Sequence, residues 1–236
     1  MMKIDMIICG DYVTTEAVRN ATVIVVDVLR ATSVIITALN NGAKSVVPVT
    51  SVEEALSTKK KLESVVLGGE RKAQKIEGFD LSNSPLEYKS EVIHDRNVVI
   101  TTTNGTKAIS KSSAANKIYI GALINAKAVS SKALSNERDI IIVNAGTNGV
   151  FSMDDFITGG AIIDELLSEQ EFELTDIAKT ALVIYRSHKD IKSYVKGAAH
   201  YKILVDLGLE EDIDYCLQKD LFNIVPEYKD GIIKLS

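Results

Sequence analysis

The sequence predicts an α/β fold, three-layer α/β/α around a mostly parallel sheet, with a helical C-terminal third. Three features carry this reading. Short β-branched runs alternate with amphipathic stretches over residues 23–143, as in successive βαβ units. The runs are continuously apolar, VIVV and IIIV among them, as strands buried on both faces require. Beyond Met153 the apolar spacing becomes almost wholly helical.

Residues 23–28 form the first predicted strand, and it reads as central. From Ala31 the period turns helical, with Val34, Ile35, Ala38 and Leu39 on one face. Thr32 or Ser33 is the expected cap and Asn41-Gly42 the stop. Residues 45–49 read as a strand, and Ser51 to Glu54 as a capping box opening a helix. Residues 64–67 are a short strand running into a long polar loop, closed by Ser84-Pro85 at the start of a short helix. Strands follow at 97–102, 117–120 and 139–143, each leading into a turn and a helix. Helices are expected at about 153–168, 174–187, 190–206 and 209–219, and a last short strand near Ile232. No repeat, low-complexity tract or Pro/Gly-rich linker interrupts the chain, so residues 1–236 read as one α/β domain. A subdomain boundary near 150 is the alternative.

Composition narrows the classes. The 46% hydrophobic and 25% charged content is that of an ordinary globular protein. A formal charge of −5 argues against general nucleic-acid binding. No apolar run is long enough to span a bilayer, and MMKIDMIICGDY is too short in its apolar part for a signal peptide. The location expected is cytoplasmic. Cys9 and Cys216 stand alone, and His94, His188 and His200 lack ligand spacing, so any metal should be hard and oxygen-bound.

The polar residues sort to one place. Asp27 and Arg30, Glu70 and Arg71, Thr103 to Thr106, Asn125 and Asn144 to Asn148 all follow the C-terminal ends of predicted strands. Open α/β sheets bind ligands at that edge. In the first turn a carboxylate, a guanidinium and the hydroxyls of Thr32 and Ser33 meet a helix N-terminus, which suits a divalent cation and a phosphate-like anion. The same residues would also close an ordinary βα turn. The loop over 68–84 is long for a compact domain unless it serves a site; it carries Glu70, Arg71, Lys72, Lys75, Asp80, Asn83 and Ser84. Thr103, Asn104, Gly105 and Thr106 offer hydroxyls and amides before a helix, as phosphate cradles do, although Asn-Gly also makes plain turns. Neither a Walker A spacing nor G-x-G-x-x-G is present. Asp154 and Asp155 begin a helix, where the dipole alone favours acids; the functional reading makes one of them a magnesium ligand. Tyr201, Ile203, Leu204 and Leu207 read as core, with His200 beside them an outlying candidate proton donor.

Together these segments resemble the 2-phosphosulfolactate phosphatases of the coenzyme M pathway. VVDVLRATS, GGERKAQKIEGFDLSNSP, TTTNGT, GALINAKAV, NAGTNGVFSMDDFITGGAI and HYKILVDLGLEEDIDYC carry the likeness in order over nearly the whole chain. The resemblance implies a magnesium-dependent phosphoric monoester hydrolase that splits 2-phospho-3-sulfolactate into 3-sulfolactate and phosphate. It places the family's motif positions at the Asp27 turn, Gly69 to Arg71, Asp80, Asn83, the Thr103–Thr106 turn and Asp154-Asp155.

The mechanism expected is charge neutralisation around an in-line displacement. Asp27, Glu70 and Asp154 or Asp155 would hold Mg²⁺. Arg30, Arg71 and the Thr103–Thr106 turn would take the phosphate, with Thr32, Asn83, Ser84 and Asn125 also on the substrate. Positive charge would come from Arg30, Arg71, Lys72, Lys75 and Lys107. Water is favoured over an Asp27 nucleophile, because the D-x-D-x-T/V pattern of aspartyl-phosphate enzymes is absent. Asp27→Asn and Glu70→Gln are expected to fold and lose turnover. The alternatives are action on another small phosphorylated hydroxy acid, as phosphatase or phosphotransferase, and non-catalytic anion binding. The partner expected is a small anionic substrate, not nucleic acid or membrane; a homo-oligomer stays open.

Overall fold

A computed structural model describes residues 1–188 and 190–236. In chain order its elements begin with β1 (Lys3–Ile7), α1 (Thr15–Val18), β2 (Thr22–Val26), α2 (Ala31–Asn40), β3 (Ser45–Val49) and α3 (Val52–Lys59). There follow β4 (Val65–Arg71), β5 (Gln74–Lys75), α4 (Ser90–Ile93), β6 (Asn97–Thr101), α5 (Gly105–Lys111), β7 (Lys117–Gly121) and α6 (Ala126–Leu134). The last group is β8 (Ile140–Asn144), α7 (Met153–Glu169), β9 (Glu173–Leu174), α8 (Asp176–Ser187), α9 (Ile191–Val195), α10 (Ala199–Asp206), α11 (Glu210–Cys216), β10 (Pro226–Lys229) and β11 (Ile232–Leu235).

One eleven-stranded sheet runs β5-β4-β6-β3-β11-β10-β7-β2-β8-β1-β9. Two parallel groups, β4-β6-β3 and β7-β2-β8-β1-β9, lie either side of the antiparallel β10–β11 hairpin. The expected α/β class and mostly parallel sheet are therefore observed. β2 is buried along its whole length, in register with β7 on one side and β8 on the other, which is what its unbroken β-branched run requires. Alternate residues separate the two faces. Val46, Val66, Val98 and Ile100 join the main core, whereas Val49, Val65, Leu67 and Val99 pack with Ala55 of α3 and Phe79 in a second one. Both faces of the β3–β4–β6 group are thus covered. Among the described residues no helix is long and apolar enough to cross a membrane.

The differences from expectation are local. β1 has the polar Asp5 in mid-strand, its side chain capping the Met6 and Thr175 donors, and so lacks an apolar run. β4 does not stop at Leu67 but continues to Arg71 and turns back into β5, so the long loop is partly a hairpin. The helix expected at 190–206 is two, α9 and α10. The strand near Ile232 exists as β11, and its partner β10, which opens on Pro226, was not anticipated.

Candidate active site

Four turns meet at the C-terminal ends of the parallel strands. The first is β2–α2. Asp27 Oδ1 accepts the Ala31 N–H at 3.1 Å, so Asp27 caps α2 in place of the expected Thr32 or Ser33. The Thr32 hydroxyl donates to Asp27 O at 2.9 Å and accepts the Asp27 N–H at 3.1 Å; the Ser33 hydroxyl donates to Val28 O at 2.9 Å. Both hydroxyls lock the turn. The Leu29–Arg30 peptide within it is cis.

The second turn follows from β4. Gly69 has φ 137°, and a Cβ there would lie 2.0 Å from Thr101 O, so only glycine lets β4 run so close beside β6. The Glu70 carboxylate is thereby set between two backbones. Its Oε2 accepts the Ala73 N–H at 2.8 Å and its Oε1 the Thr103 N–H at 2.7 Å. Arg71 donates through Nη1 to Glu70 O at 2.7 Å and through Nη2 to Thr101 Oγ1 at 3.0 Å.

In the third turn, Thr102 and Thr106 exchange hydroxyl and amide bonds of 3.1 and 3.2 Å, while Asn104 Oδ1 accepts the Asn148 N–H at 3.0 Å. In the fourth, Asp155 Oδ1 accepts the Val28 N–H at 2.9 Å and Oδ2 the Gly146 N–H at 3.0 Å, clamping the first turn to the β8–α7 turn. Asp154 Oδ1 accepts from the Ser152 hydroxyl.

These turns bound a cavity of about 380 Å³. Its lining comprises Asp27 and Arg30 of the first turn, and Glu70, Arg71, Lys72 and Asn83 of the second and the segment after it. Thr102, Thr103 and Asn104 of the third turn, Thr147 and Asn148 of the fourth, and His200 and Ile203 of α10 also line it. Thr32, Ser84, Gly105, Thr106, Asp154 and Asp155 stand behind this lining as support. Asn125 lies elsewhere. Its Oδ1 accepts the Ala122 N–H at 2.9 Å, and its Nδ2 donates to Ile120 O at 3.1 Å and Ile224 O at 3.2 Å, tying the C-terminal segment to the end of β7. Lys75 is not part of the lining, and Lys107 is drawn off to Asp11 at 2.9 Å. Ile203, expected in the core, is 42% exposed at the cavity.

Burial pushes the Asp27 carboxyl up to about 7; the negative charges of Asp154 and Glu70 add to this, against the Ala31 N–H and Arg30. Asp155 is also raised well above the usual carboxylate range, first by burial and then by Asp154 and Asp27. This crowding of buried acids is what a bound cation relieves. Asp27 Oδ2 and the buried Asn83 Oδ1, which has no hydrogen-bond partner among the described residues, supply hard oxygen donors. The donor set therefore fits Mg²⁺. Among the described residues no three acidic, His or Cys side chains converge as a closed metal cluster. Magnesium commonly takes one or two carboxylates and leaves its other positions to water and substrate phosphate.

Sequence reasoning did not find Asp212. It pairs through Oδ2 with Arg30 Nη1, and its Oδ1 accepts the Ser84 hydroxyl at 2.6 Å. Arg30 Nη2 donates to Ala73 O at 2.9 Å. Asp212 sits among Glu210, Glu211 and Asp214, all exposed, and only its place beside Ile213 on the inward face of α11 sets it apart.

A family model described as 2-phosphosulpholactate phosphatase matches residues 10–231. A protein of Clostridium beijerinckii named "Probable 2-phosphosulfolactate phosphatase" is 54% identical over 98% of this chain and 99% of its own length. One of the same name from Clostridium perfringens is 53% identical over 99% of this chain and 96% of its own. A third, from Clostridium tetani, is 53% identical over 99% of this chain and the whole of its own.

Proposed function

Because the chain belongs to the 2-phosphosulpholactate phosphatase family, we propose that it hydrolyses 2-phospho-3-sulfolactate to 3-sulfolactate and phosphate with Mg²⁺ bound. The observation that carries this reading is Asp27. It is a buried carboxylate with its Oδ2 turned toward Gly105, at the wall of a cavity that Arg30, Arg71 and Lys72 also line. Asp27 Oδ2 and Asn83 Oδ1 would hold the ion, with the carboxylates of Glu70 and Asp154 adding negative charge around it, and the bound ion would neutralise charge on the phosphoryl oxygens.

The remaining work belongs to the chain. Arg30 and Arg71, already oriented by hydrogen bonds to backbone carbonyls, present guanidinium groups to the phosphoryl oxygens at little reorganisation cost. Glu70 fixes the Thr103 and Ala73 amides, and so the shape of two walls at once. Asn83 offers its Nδ2 as a donor to a second anionic group of the substrate. The phosphoryl group passes through a loose transition state, in which positioning and charge neutralisation outweigh deprotonation of the nucleophile. Water then suffices: its oxygen bonds to phosphorus and sheds one proton to solvent, the ester P–O bond breaks, and the alkoxide takes up one proton from solvent and leaves as the 3-sulfolactate hydroxyl. A substrate bearing phosphate, carboxylate and sulfonate suits a pocket that collects cationic side chains in a chain of net charge −5. The reading places this step in the cytoplasm and in coenzyme M biosynthesis.

The test is phosphate release from racemic 2-phosphosulfolactate, with and without Mg²⁺, beside phospholactate and phosphoglycerate. Magnesium-dependent release favouring the sulfonate is the expected result. Equal rates on all three would keep the phosphatase and discard sulfolactate as its dedicated substrate. No release, with binding of sulfolactate retained, would make the protein an anion binder.

A further inference from the structure

We infer that Asp212, on α11, is a positioning residue for the reaction: it holds the Arg30 guanidinium at the cavity wall, and Ser84 holds Asp212. Arg30 and Asp212 are each buried and lie 182 residues apart in the chain. Asp212 grips Arg30 Nη1 from the C-terminal helices, and Ala73 O grips Nη2 from the β4–β5 turn at 2.9 Å. A guanidinium has five N–H donors in a fixed plane. Two fixed nitrogens set that plane and leave the other donors to an anion in the cavity that Arg30 lines.

Stability alone does not account for this pair. Burying two charges costs desolvation that an apolar pair would avoid. The Ser84 bond to the second oxygen of Asp212, at 2.6 Å, satisfies the carboxylate and also anchors the segment carrying Asn83. α11 follows α10, whose His200 and Ile203 line the cavity. One carboxylate therefore ties three parts of the lining to each other.

The inference rests on the phosphatase reading, and two readouts in the full chain separate the two. The first is kcat and KM on 2-phosphosulfolactate with Mg²⁺ for Asp212→Asn, Arg30→Gln, their double mutant and Ser84→Ala. Loss of orientation should lower kcat about 100-fold in Asp212→Asn with little change in KM. Ser84→Ala should fall the same way by less, and Asp212→Asn should cost nothing further once Arg30 is Gln. The second is ¹⁵N–¹H NMR of the Arg30 guanidinium. Its Nη protons should be resolved in the wild type, where rotation is locked, and merge in Asp212→Asn. Wild-type kcat in Asp212→Asn, an undiminished loss in the Arg30→Gln background, or unchanged Arg30 resonances would overturn the inference. Should Asp212→Asn fail to fold, the double mutant against Arg30→Gln decides, since the double mutant leaves no buried charge unpaired. A wild type that releases no phosphate refutes the proposed function, and the Arg30 resonances still decide the positioning role.

Discussion

Gly105→Ala is the smallest change that reaches the proposed reacting centre without replacing a charged group. A Cβ at Gly105 would stand 2.6 Å from Asp27 Oδ2 and 2.6 Å from Ala31 Cβ. Restoring an ordinary separation of about 3.5 Å requires a shift of roughly 0.9 Å. Ala31 belongs to α2, whose start is bonded to Asp27, so the helix cannot yield without the carboxylate. The Asp27 side chain must take up the movement. A displacement near 1 Å at a reacting group costs about 100-fold in rate. Stability should suffer far less. Overpacking costs about 1–3 kcal/mol, and replacing Gly by Ala at a helical position returns up to about 1. The net is about 0–3 kcal/mol, which for a chain of this size lowers Tm by less than about 12 °C. Phosphate release at saturating substrate and Mg²⁺, read beside a thermal melt, checks both numbers. A folded Gly105→Ala protein with wild-type kcat would refute the assignment of Asp27 Oδ2 to the reacting centre.

Three further outcomes follow from the same geometry. Asp27 binds its proton more tightly folded than unfolded, its carboxyl standing at about 7, so its contribution to stability is full at low pH and is lost as pH rises through about 7; denaturant titrations in EDTA should show stability falling from pH 5 to pH 8, and Asp27→Asn should remove much of that fall while abolishing turnover. Glu70→Gln should not fold as well as the wild type, contrary to the expectation from sequence, because one amide oxygen cannot replace two carboxylate oxygens that each accept a backbone N–H; a loss of about 1–3 kcal/mol by urea titration is expected, and unchanged stability would show that those bonds are weak in solution. Asn83→Ala, which removes a buried amide of the cavity lining, should raise KM for 2-phosphosulfolactate by about 10-fold, and steady-state kinetics showing an unchanged KM would take Asn83 off the substrate.

What could be read from the chain depended on range. The β2 run declares a central strand because every residue in it is β-branched and buried, and the turn after it declares a site because four polar groups crowd into a short stretch. The roles inside the site were less legible. Thr32, Thr106 and Asp155 carry the right chemistry for phosphate or metal, yet backbone groups consume their donors and acceptors. That competition is set by turn geometry and leaves no trace in composition. Asn125 shows the same ambiguity, since an amide after a strand can bind substrate or tie down a neighbouring segment. Asp212 lies beyond any local rule, because its partner is brought to it only by the folded C-terminal third.

The approach of the two parallel groups to each other was the least legible feature, and the site depends on it. In sheet order the ends of β6 and β2 are separated by β3, β11, β10 and β7. At about 4.8 Å per strand, five intervals would hold them roughly 24 Å apart in a flat sheet. Yet Gly105, just beyond β6, abuts Asp27, just beyond β2, and Glu70 of the still more distant β4 lines the same cavity. Strand twist and the reach of the turns beyond the strand ends together close that distance. The β10–β11 hairpin lies between the two groups and pairs antiparallel with each, Ile233 opposite Val46 of β3 and Glu227 opposite Tyr119 of β7. Hydrogen bonds across the gap at the opposite end then come from the site itself, through Asn104 to Asn148 and Arg30 to Ala73. The residues that line the cavity thus bridge the two parallel groups as well, and the acids among them, Asp27 and Glu70, are buried.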